Sequence, residues 1–236
     1  MTINNIELQM AQITANIETL RKEIEQSVKD ISSHSVKDLT PTSIISHVIE
    51  LTDNIPFAQK PRPIPYNKKD EFKKLIDDMV EANVIVPSNS PYSSPIHLVK
   101  KCDGTIRMTI DYRKLNSLTI KDNYPLPRIE VILNKLSKAR IYSKLDFASG
   151  YYQVCMSKGS RKFTAFTCEF GHFEFTVLSM GLKNAGATFQ RLMDNILSKY
   201  IGQFVMVYLD DIIIFSTSIE EHNQHLEQVF QVIREH

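Results

Sequence analysis

The feature that most constrains this chain is an apolar run interrupted at its centre by two carboxylates. Residues 204–215 read FVMVYLDDIIIF, with Asp210 and Asp211 between two apolar segments rich in β-branched side chains. The run is shorter than the roughly 20 residues of a membrane-spanning helix, and both charges would lie at its middle. It therefore predicts a β-hairpin with buried strands and a turn at Asp210-Asp211, and it argues against a membrane protein.

Two adjacent carboxylates on a buried hairpin repel each other, by about 4 kcal/mol at 4 Å and an effective dielectric near 20. A bound cation would relieve that repulsion, above all if Asp146, which ends the apolar segment IYSKLD, lies nearby. Carboxylates without His or Cys at ligand spacing favour Mg²⁺ or Mn²⁺, and such sites suit phosphoryl chemistry. The alternative is that Asp-Asp is ordinary turn chemistry.

The positive charge of the chain is local. The whole sequence has a formal charge of +1, but residues 100–140 hold ten Lys or Arg against four Asp or Glu. This segment predicts a cationic patch that would suit nucleic acid, and the alternative is a solvated charged face. The cysteines, Cys102, Cys155 and Cys168, are odd in number without metal-ligand spacing, and no secretory signal is recognisable, so we expect a reduced, intracellular protein.

The pattern of apolar residues divides the chain into three parts. Residues 1–31 carry a heptad seam, which predicts a helix that either self-associates through residues 3–31 or packs on its own domain. Residues 32–46, rich in Ser and Thr, are typical of a linker. The remainder, 47–236, mixes helical and strand patterns without regular alternation, which favours the α+β class. Helices are expected near 72–80, 128–137, 184–200 and from 219, and a hairpin is expected to turn at 102–104.

Several ordered motifs in the third part resemble one known family. They are SSPIHLVKKCDGTIRMTIDYRKLN (93–116), LDFASGYYQV (145–154), LSMGLKNAGATFQRLMD (178–194) and YLDD (208–211). Together they closely resemble the reverse transcriptases of gypsy-type long-terminal-repeat retrotransposons. The resemblance implies a right-hand polymerase, with fingers mainly at 60–140 and a ferredoxin-like palm mainly at 141–236. The family continues with a thumb that these residues do not contain, so a fragment of a polyprotein is expected.

The resemblance also implies roles for particular residues. Asp146, Asp210 and Asp211 match the catalytic metal ligands, which would hold two Mg²⁺ ions, with Mn²⁺ as a possible substitute. The nucleotide-binding positions that match are Lys100, Lys101, Arg107, Phe147, Ala148, Tyr151, Met180, Gly181 and Gln190. Tyr151 would exclude a 2′-hydroxyl, and Lys101 and Arg107 would contact the triphosphate. This chain departs from the family at Ser179-Met180 and at Gly186, where Pro-Phe and Pro are usual; Gly186 should loosen the helix start by about 0.5–1 kcal/mol.

The expected function is therefore that of an RNA-directed DNA polymerase core. It would add deoxynucleotides to a primer paired with an RNA or DNA template. The alternative is an inactive, element-derived module that binds nucleic acid or self-associates.

Overall fold

The computed structural model describes residues 40–100, 104, 106–147 and 150–235. The predicted heptad helix at 1–31 lies outside these residues, as does most of the predicted linker. Within the described part, strands and helices intermix along the chain, which confirms the α+β class. None of the helices in this part is long and apolar enough to cross a membrane.

The secondary structure follows the apolar patterning of the sequence. The described strands are β1 (Thr42–His47), β2 (Ile85–Pro87), β3 (Ile96–Lys100), β4 (Ile106–Ile110), β5 (Ile141–Asp146), β6 (Val154–Met156), β7 (Phe166–Cys168), β8 (Gly171–Phe175), β9 (Val205–Tyr208) and β10 (Asp211–Ser216). The α-helices are α1 (Lys69–Glu81), α2 (Arg113–Leu118), α3 (Ile129–Leu136), α4 (Ala185–Ile196) and α5 (Ile219–Glu235). The α4 helix ends earlier than the predicted 200, and residues 197–200 continue as a turn.

Two β-structures frame the region of interest. Strands β3 and β4 pair in antiparallel fashion, as predicted, and most of the predicted turn at 102–104 lies outside the described residues. Strands β5, β10 and β9 form a three-stranded antiparallel sheet in that order, which we call the central sheet. A third sheet, ordered β2–β8–β7, packs its aromatic side chains Phe166, Phe173 and Phe175 into the core.

The central sheet has one covered face and one open face. Along β5 the side chains alternate, with Ser143 and Leu145 partly buried and Lys144 and Asp146 exposed. The covered face packs on α5, where the Ser143 hydroxyl and His222 Nε2 are hydrogen-bonded at 2.8 Å. Asp146 therefore ends β5 on the open face of the sheet.

The turn of the β9–β10 hairpin lies one residue earlier than the sequence predicts. Asp211 is already the first residue of β10 and pairs with Tyr208, so Leu209 and Asp210 alone form the turn. Two-residue hairpin turns match the twist of their strands when the first central residue has a positive φ. Leu209 has φ +53° accordingly.

The end of the predicted linker belongs to the folded domain. Residues 42–47 form β1, which pairs in parallel with β6. The β-branched residues Thr42, Ile44 and Ile45 favour this strand. His47 at its end is buried, and its Nδ1 atom is hydrogen-bonded to the Thr188 hydroxyl at 2.8 Å. Burial lowers the pKa of His47 to about 4, so this histidine is neutral in the folded protein at neutral pH.

Candidate active site

A cavity of about 390 Å³ lies between the β3–β4 hairpin and the open end of the central sheet. Five residues singled out in the sequence line it: Arg107 from β4, Asp146 and Phe147 at the end of β5, Met180, and Asp210 in the hairpin turn. These residues are distant in sequence, and the fold brings them to one concave site. Concave sites with convergent polar groups are where ligands commonly bind.

Strand pairing brings the lone aspartate to the adjacent pair. Asp146 is the last residue of β5 and Asp211 the first of β10, and the two are direct cross-strand partners. Cross-strand partners have Cβ atoms about 4.5–5.5 Å apart in antiparallel sheets. Asp210 precedes Asp211 in the turn and lines the same cavity as Asp146. The backbone placement expected for the three acids is thus present.

The side chains of the three acids do not form one cluster. Lys144 Nζ donates to Asp211 Oδ1 at 2.8 Å, and this hydrogen bond raises the pKa of Lys144. Among the described residues, no three His, Cys, Asp or Glu side chains are grouped so that they could hold a metal ion. Lys144, on the open face of β5, is therefore a cation that relieves the repulsion between the carboxylates. The donors are nevertheless hard oxygens on adjoining strand ends, which suits Mg²⁺.

Gln190, a predicted nucleotide contact, lies beneath the hairpin turn. Its side chain is fully buried, and its Oε1 atom accepts a hydrogen bond from the Leu209 backbone N–H at 2.9 Å. A left-handed conformation costs a non-glycine residue about 1–2 kcal/mol. The bond from Gln190 offsets part of that cost at Leu209, so Gln190 acts in this structure through the backbone that precedes Asp210.

Aromatic packing supports the floor of the site. Tyr151 and Phe147 both meet Phe189 of α4 edge-to-face, with ring centroids 5.4 and 5.9 Å apart. Burial, followed by the hydrogen bond to Asp210, raises the pKa of Tyr151. Gly150 fits closely, since a Cβ atom there would lie 2.7 Å from Phe147 Cβ. The sequence analysis missed Phe189 as a support, although it lies on the apolar face of α4.

Arg107 and Met180 meet across the cavity. The Arg107 guanidinium Nη2 contacts the Met180 sulfur. Gly181, which follows Met180, has φ +90°, a conformation that glycine adopts without steric cost. The contact joins the β3–β4 hairpin to the loop that precedes α4.

Gly186, the other departure from the family, has a contact that explains its small size. It is the second residue of α4, and a Cβ atom there would lie 2.9 Å from Leu209 Cδ2. The Leu209 side chain occupies the space that a larger residue would need.

The remaining predicted contacts are less defined by the structure. Lys100 ends β3 opposite Ile106, with an exposed side chain, and it does not line the cavity. Lys101 and Ala148 lie outside the described residues. A direct nucleotide contact stays a prediction for these three residues, as it does for the other positions that match the family.

Comparison with known proteins identifies relatives across most of the chain. The family profile described as "Reverse transcriptase (RNA-dependent DNA polymerase)" matches residues 99–236. The chain is 43% identical over 197 residues to the retrovirus-related Pol polyprotein from transposon 297 of Drosophila melanogaster, covering 81% of this chain and 19% of that one. It is 34% identical over 226 residues to the Pol polyprotein from transposon gypsy of the same organism, covering 92% and 22%. The chain thus spans about a fifth of the length of these relatives.

The fold is also that of a solved structure. The crystal structure of the prototype foamy virus protease-reverse transcriptase (a selenomethionine-labelled CSH mutant) matches with a TM-score of 0.83 and 28% identity, over 94% of this chain and 30% of that one. The expected fingers-and-palm architecture is thereby confirmed. The chain belongs to the reverse transcriptase family, and the Pol polyproteins of gypsy-type retrotransposons are among its relatives.

Proposed function

We propose that this chain is the catalytic core of an RNA-directed DNA polymerase, which adds deoxynucleotides to the 3′-hydroxyl of a primer. The observation that carries the proposal is the pairing of Asp146 with Asp211, beside a cavity that Asp146, Asp210 and Arg107 line. Carboxylates facing a fixed cation across a cleft suit phosphoryl transfer, because charge develops on the transferring phosphate.

The three aspartates would hold two Mg²⁺ ions. Bound there, the metal would supply the positive charge that activates the primer hydroxyl and stabilises the leaving pyrophosphate. Lys144 competes for Asp211 at 2.8 Å, so this lysine would have to release the carboxylate when the metal binds. The aspartates would contribute the oxygen ligands, and the Tyr151 hydroxyl would donate a hydrogen bond to the Asp210 carboxylate.

The incoming nucleotide would lie between the β3–β4 hairpin and the central sheet. Arg107 would bind the triphosphate, together with Lys100 at the end of β3 and with Lys101. The Tyr151 ring, supported by Phe189, would leave no room for a 2′-hydroxyl and would select deoxynucleotides. Backbone N–H groups at Phe147 and Ala148 would face the phosphates.

The proposed macromolecular partner is a primer paired with an RNA or DNA template. A structure of the foamy viral protease-reverse transcriptase is described as a complex with RNA/DNA hybrid, and it matches this chain with a TM-score of 0.80. The excess of basic residues at 100–140 is consistent with contacts to phosphates. Self-association through residues 3–31 is a separate proposal that sedimentation of the chain with and without that segment would test.

Primer extension tests the proposed activity. The chain would be incubated with Mg²⁺, deoxynucleotides and a DNA primer on an RNA template. Asp146→Asn and Asp210→Asn should each lower incorporation about a thousandfold, because charge stabilisation by a metal is worth several kcal/mol. Asp77→Asn on the surface of α1 is the matched control and should leave incorporation unchanged. Undiminished extension by Asp146→Asn would contradict the assignment of the site.

A second candidate is an inactive module that binds nucleic acid. The ion pair between Lys144 and Asp211 favours this candidate, because it occupies one of the three carboxylates that would otherwise bind metal. Binding of the primer-template that weakens steeply with salt, without incorporation even when the chain is joined to a reverse transcriptase thumb, would support this candidate over the polymerase.

A further inference from the structure

A continuous chain of polar contacts leads from the loop before α3 to the turn that carries Asp210. The Tyr124 hydroxyl donates to Asp194 Oδ2 at 2.7 Å. Gln190 Nε2 donates to Asp194 Oδ1 at 3.0 Å, and Gln190 Oε1 accepts from the Leu209 N–H at 2.9 Å. We call Tyr124, Asp194 and Gln190 the relay.

The relay has a fixed direction because a carboxylate only accepts hydrogen bonds. Gln190 must turn its NH₂ group towards Asp194, and this leaves its carbonyl oxygen facing the Leu209 N–H. In the opposite orientation, the Gln190 oxygen would face the Asp194 carboxylate and the Gln190 NH₂ group would face the Leu209 N–H. Neither pair could then form a hydrogen bond. Gln190 is fully buried, so solvent offers its amide no other partners.

The far end of the relay is anchored. The Tyr124 ring lies under the Arg191 guanidinium, 4.6 Å from its centroid, and Arg191 forms an ion pair with Asp122 at 2.7 Å. The Tyr124 backbone N–H also donates to Asp122 Oδ1 at 3.0 Å. Burial and then the bond to Asp194 raise the pKa of Tyr124 to about 12, so its hydroxyl remains a donor at neutral pH.

We propose that Tyr124, Asp194 and Gln190 are positioning residues, which hold Leu209 in its left-handed conformation and thereby direct Asp210 into the cavity. Leu209 is adjacent to Asp210, and its φ of +53° determines the direction in which the turn presents that carboxylate. The inference deepens the proposed polymerase function and rests on it for the role of Asp210. None of the three relay residues lines the cavity that Asp146 and Asp210 share.

The direction of the relay predicts a rescue that a general effect on stability would not produce. Gln190→Glu sets a second carboxyl group against Asp194, and the assays are run above about pH 9, where both groups are ionised and repel each other. The substitution should accelerate hydrogen exchange at the Leu209 amide and lower kcat for nucleotide addition by about tenfold, the effect of one hydrogen bond. The KM for the nucleotide should change little, because the relay does not touch the cavity.

Asp194→Asn alone should have little effect, since the new amide can accept from Gln190 and donate to the Tyr124 oxygen. In the double variant, the asparagine amide at position 194 donates to the glutamate carboxylate at position 190 and accepts from Tyr124, so the repulsion disappears and a glutamate oxygen is again held against the Leu209 N–H. The double variant should therefore recover both the slow exchange and most of kcat. Tyr124→Phe, which keeps the ring on Arg191, is a milder test and should accelerate exchange of the Leu209 amide by severalfold.

The outcomes separate the inference from the function on which it rests. A double variant no better than Gln190→Glu, or a normal kcat in Gln190→Glu despite fast exchange at Leu209, would overturn the relay. If Gln190→Glu does not fold, unchanged exchange in Tyr124→Phe would also overturn it. A chain joined to a reverse transcriptase thumb that still adds no nucleotide would contradict the polymerase function, and exchange at Leu209 would still decide whether the relay holds the turn.

Discussion

The contact between Gly186 and Leu209 makes a quantitative prediction about the start of α4. A Cβ atom at residue 186 would lie 2.9 Å from Leu209 Cδ2, closer than real Cβ contacts, so Gly186→Ala must displace the leucine. The displaced atom is the end of a half-buried side chain. We therefore take the lower part of the range for overpacking, about 1 kcal/mol.

Two effects oppose each other in Gly186→Ala. Alanine in a helix stabilises the folded chain by about 0.5–1 kcal/mol relative to glycine. When Leu209 is present, this gain nearly cancels the cost of overpacking. In a Leu209→Ala background the clash disappears and only the gain remains. We expect Gly186→Ala to leave stability almost unchanged in the first case and to raise it by about 0.5–1 kcal/mol in the second, a coupling of about 1 kcal/mol.

Unfolding of the four chains by urea and by heat measures this coupling. The melting temperature should rise by about 1–4 °C on Gly186→Ala in the Leu209→Ala background, given about 2–4 °C per kcal/mol for a domain of this size. Gly159→Ala is the matched control, since no atom lies within 4 Å of a Cβ there, and it should show no coupling to Leu209. Equal effects of Gly186→Ala in both backgrounds would refute the reasoning.

Three further predictions concern pH, metal binding and packing. The pKa of His47 is lowered from 6.5 to about 4. Between pH 6.5 and 4, its imidazole is therefore protonated in the unfolded chain but not in the folded one. Stability should fall by up to about 3 kcal/mol as the pH drops from 6.5 to 4, and His47→Gln should remove that part of the pH dependence of urea unfolding. Lys144→Met frees Asp211 of its ion pair and should raise the affinity for Mn²⁺ severalfold in a titration followed by electron paramagnetic resonance. Gly150→Ala should lower the free energy of unfolding by about 1–3 kcal/mol, because its Cβ would overlap Phe147.

Each of these predictions has a control within the chain. His97 is exposed on β3, and His97→Gln is the matched control for the loss of one histidine. Lys158→Met, at an exposed lysine, should not change Mn²⁺ affinity; equal gains in both lysine variants would mean that only net charge matters. A Gly150→Ala chain as stable as the original would mean that Phe147 can move aside at little cost.

The sequence predicts the acids of the site better than the contacts that hold them. The strand ending at Asp146 and the apolar hairpin with Asp210 and Asp211 follow from local patterning, and the alternation along β5 places Lys144 on the same face as Asp146. The Lys144–Asp211 pair could have been anticipated from that spacing once the strands were known to be neighbours. The register that pairs Asp146 with Asp211 is a tertiary property, and periodicity alone does not specify it.

Other features depend on contacts between distant segments. The motif around Gln190 suggests a direct role in binding nucleotides, but the burial of its amide follows from the packing of α4 on the central sheet. Strand β1 pairs with β6, far along the chain, so its Ser-rich and Thr-rich sequence is typical of a linker until the partner strand is known. The positive φ of Leu209 follows from a two-residue turn whose length is determined by the pairing of Asp211.

Asp146 and Asp211 form the last rung of the β5–β10 ladder, and this position has a thermal consequence. The ends of a ladder fray before its middle, with little free energy and without global unfolding. Warming should separate the two acids while the rest of the sheet remains paired. The proposed binding of metal ions would then be lost, reversibly, at temperatures where circular dichroism still reports an intact fold.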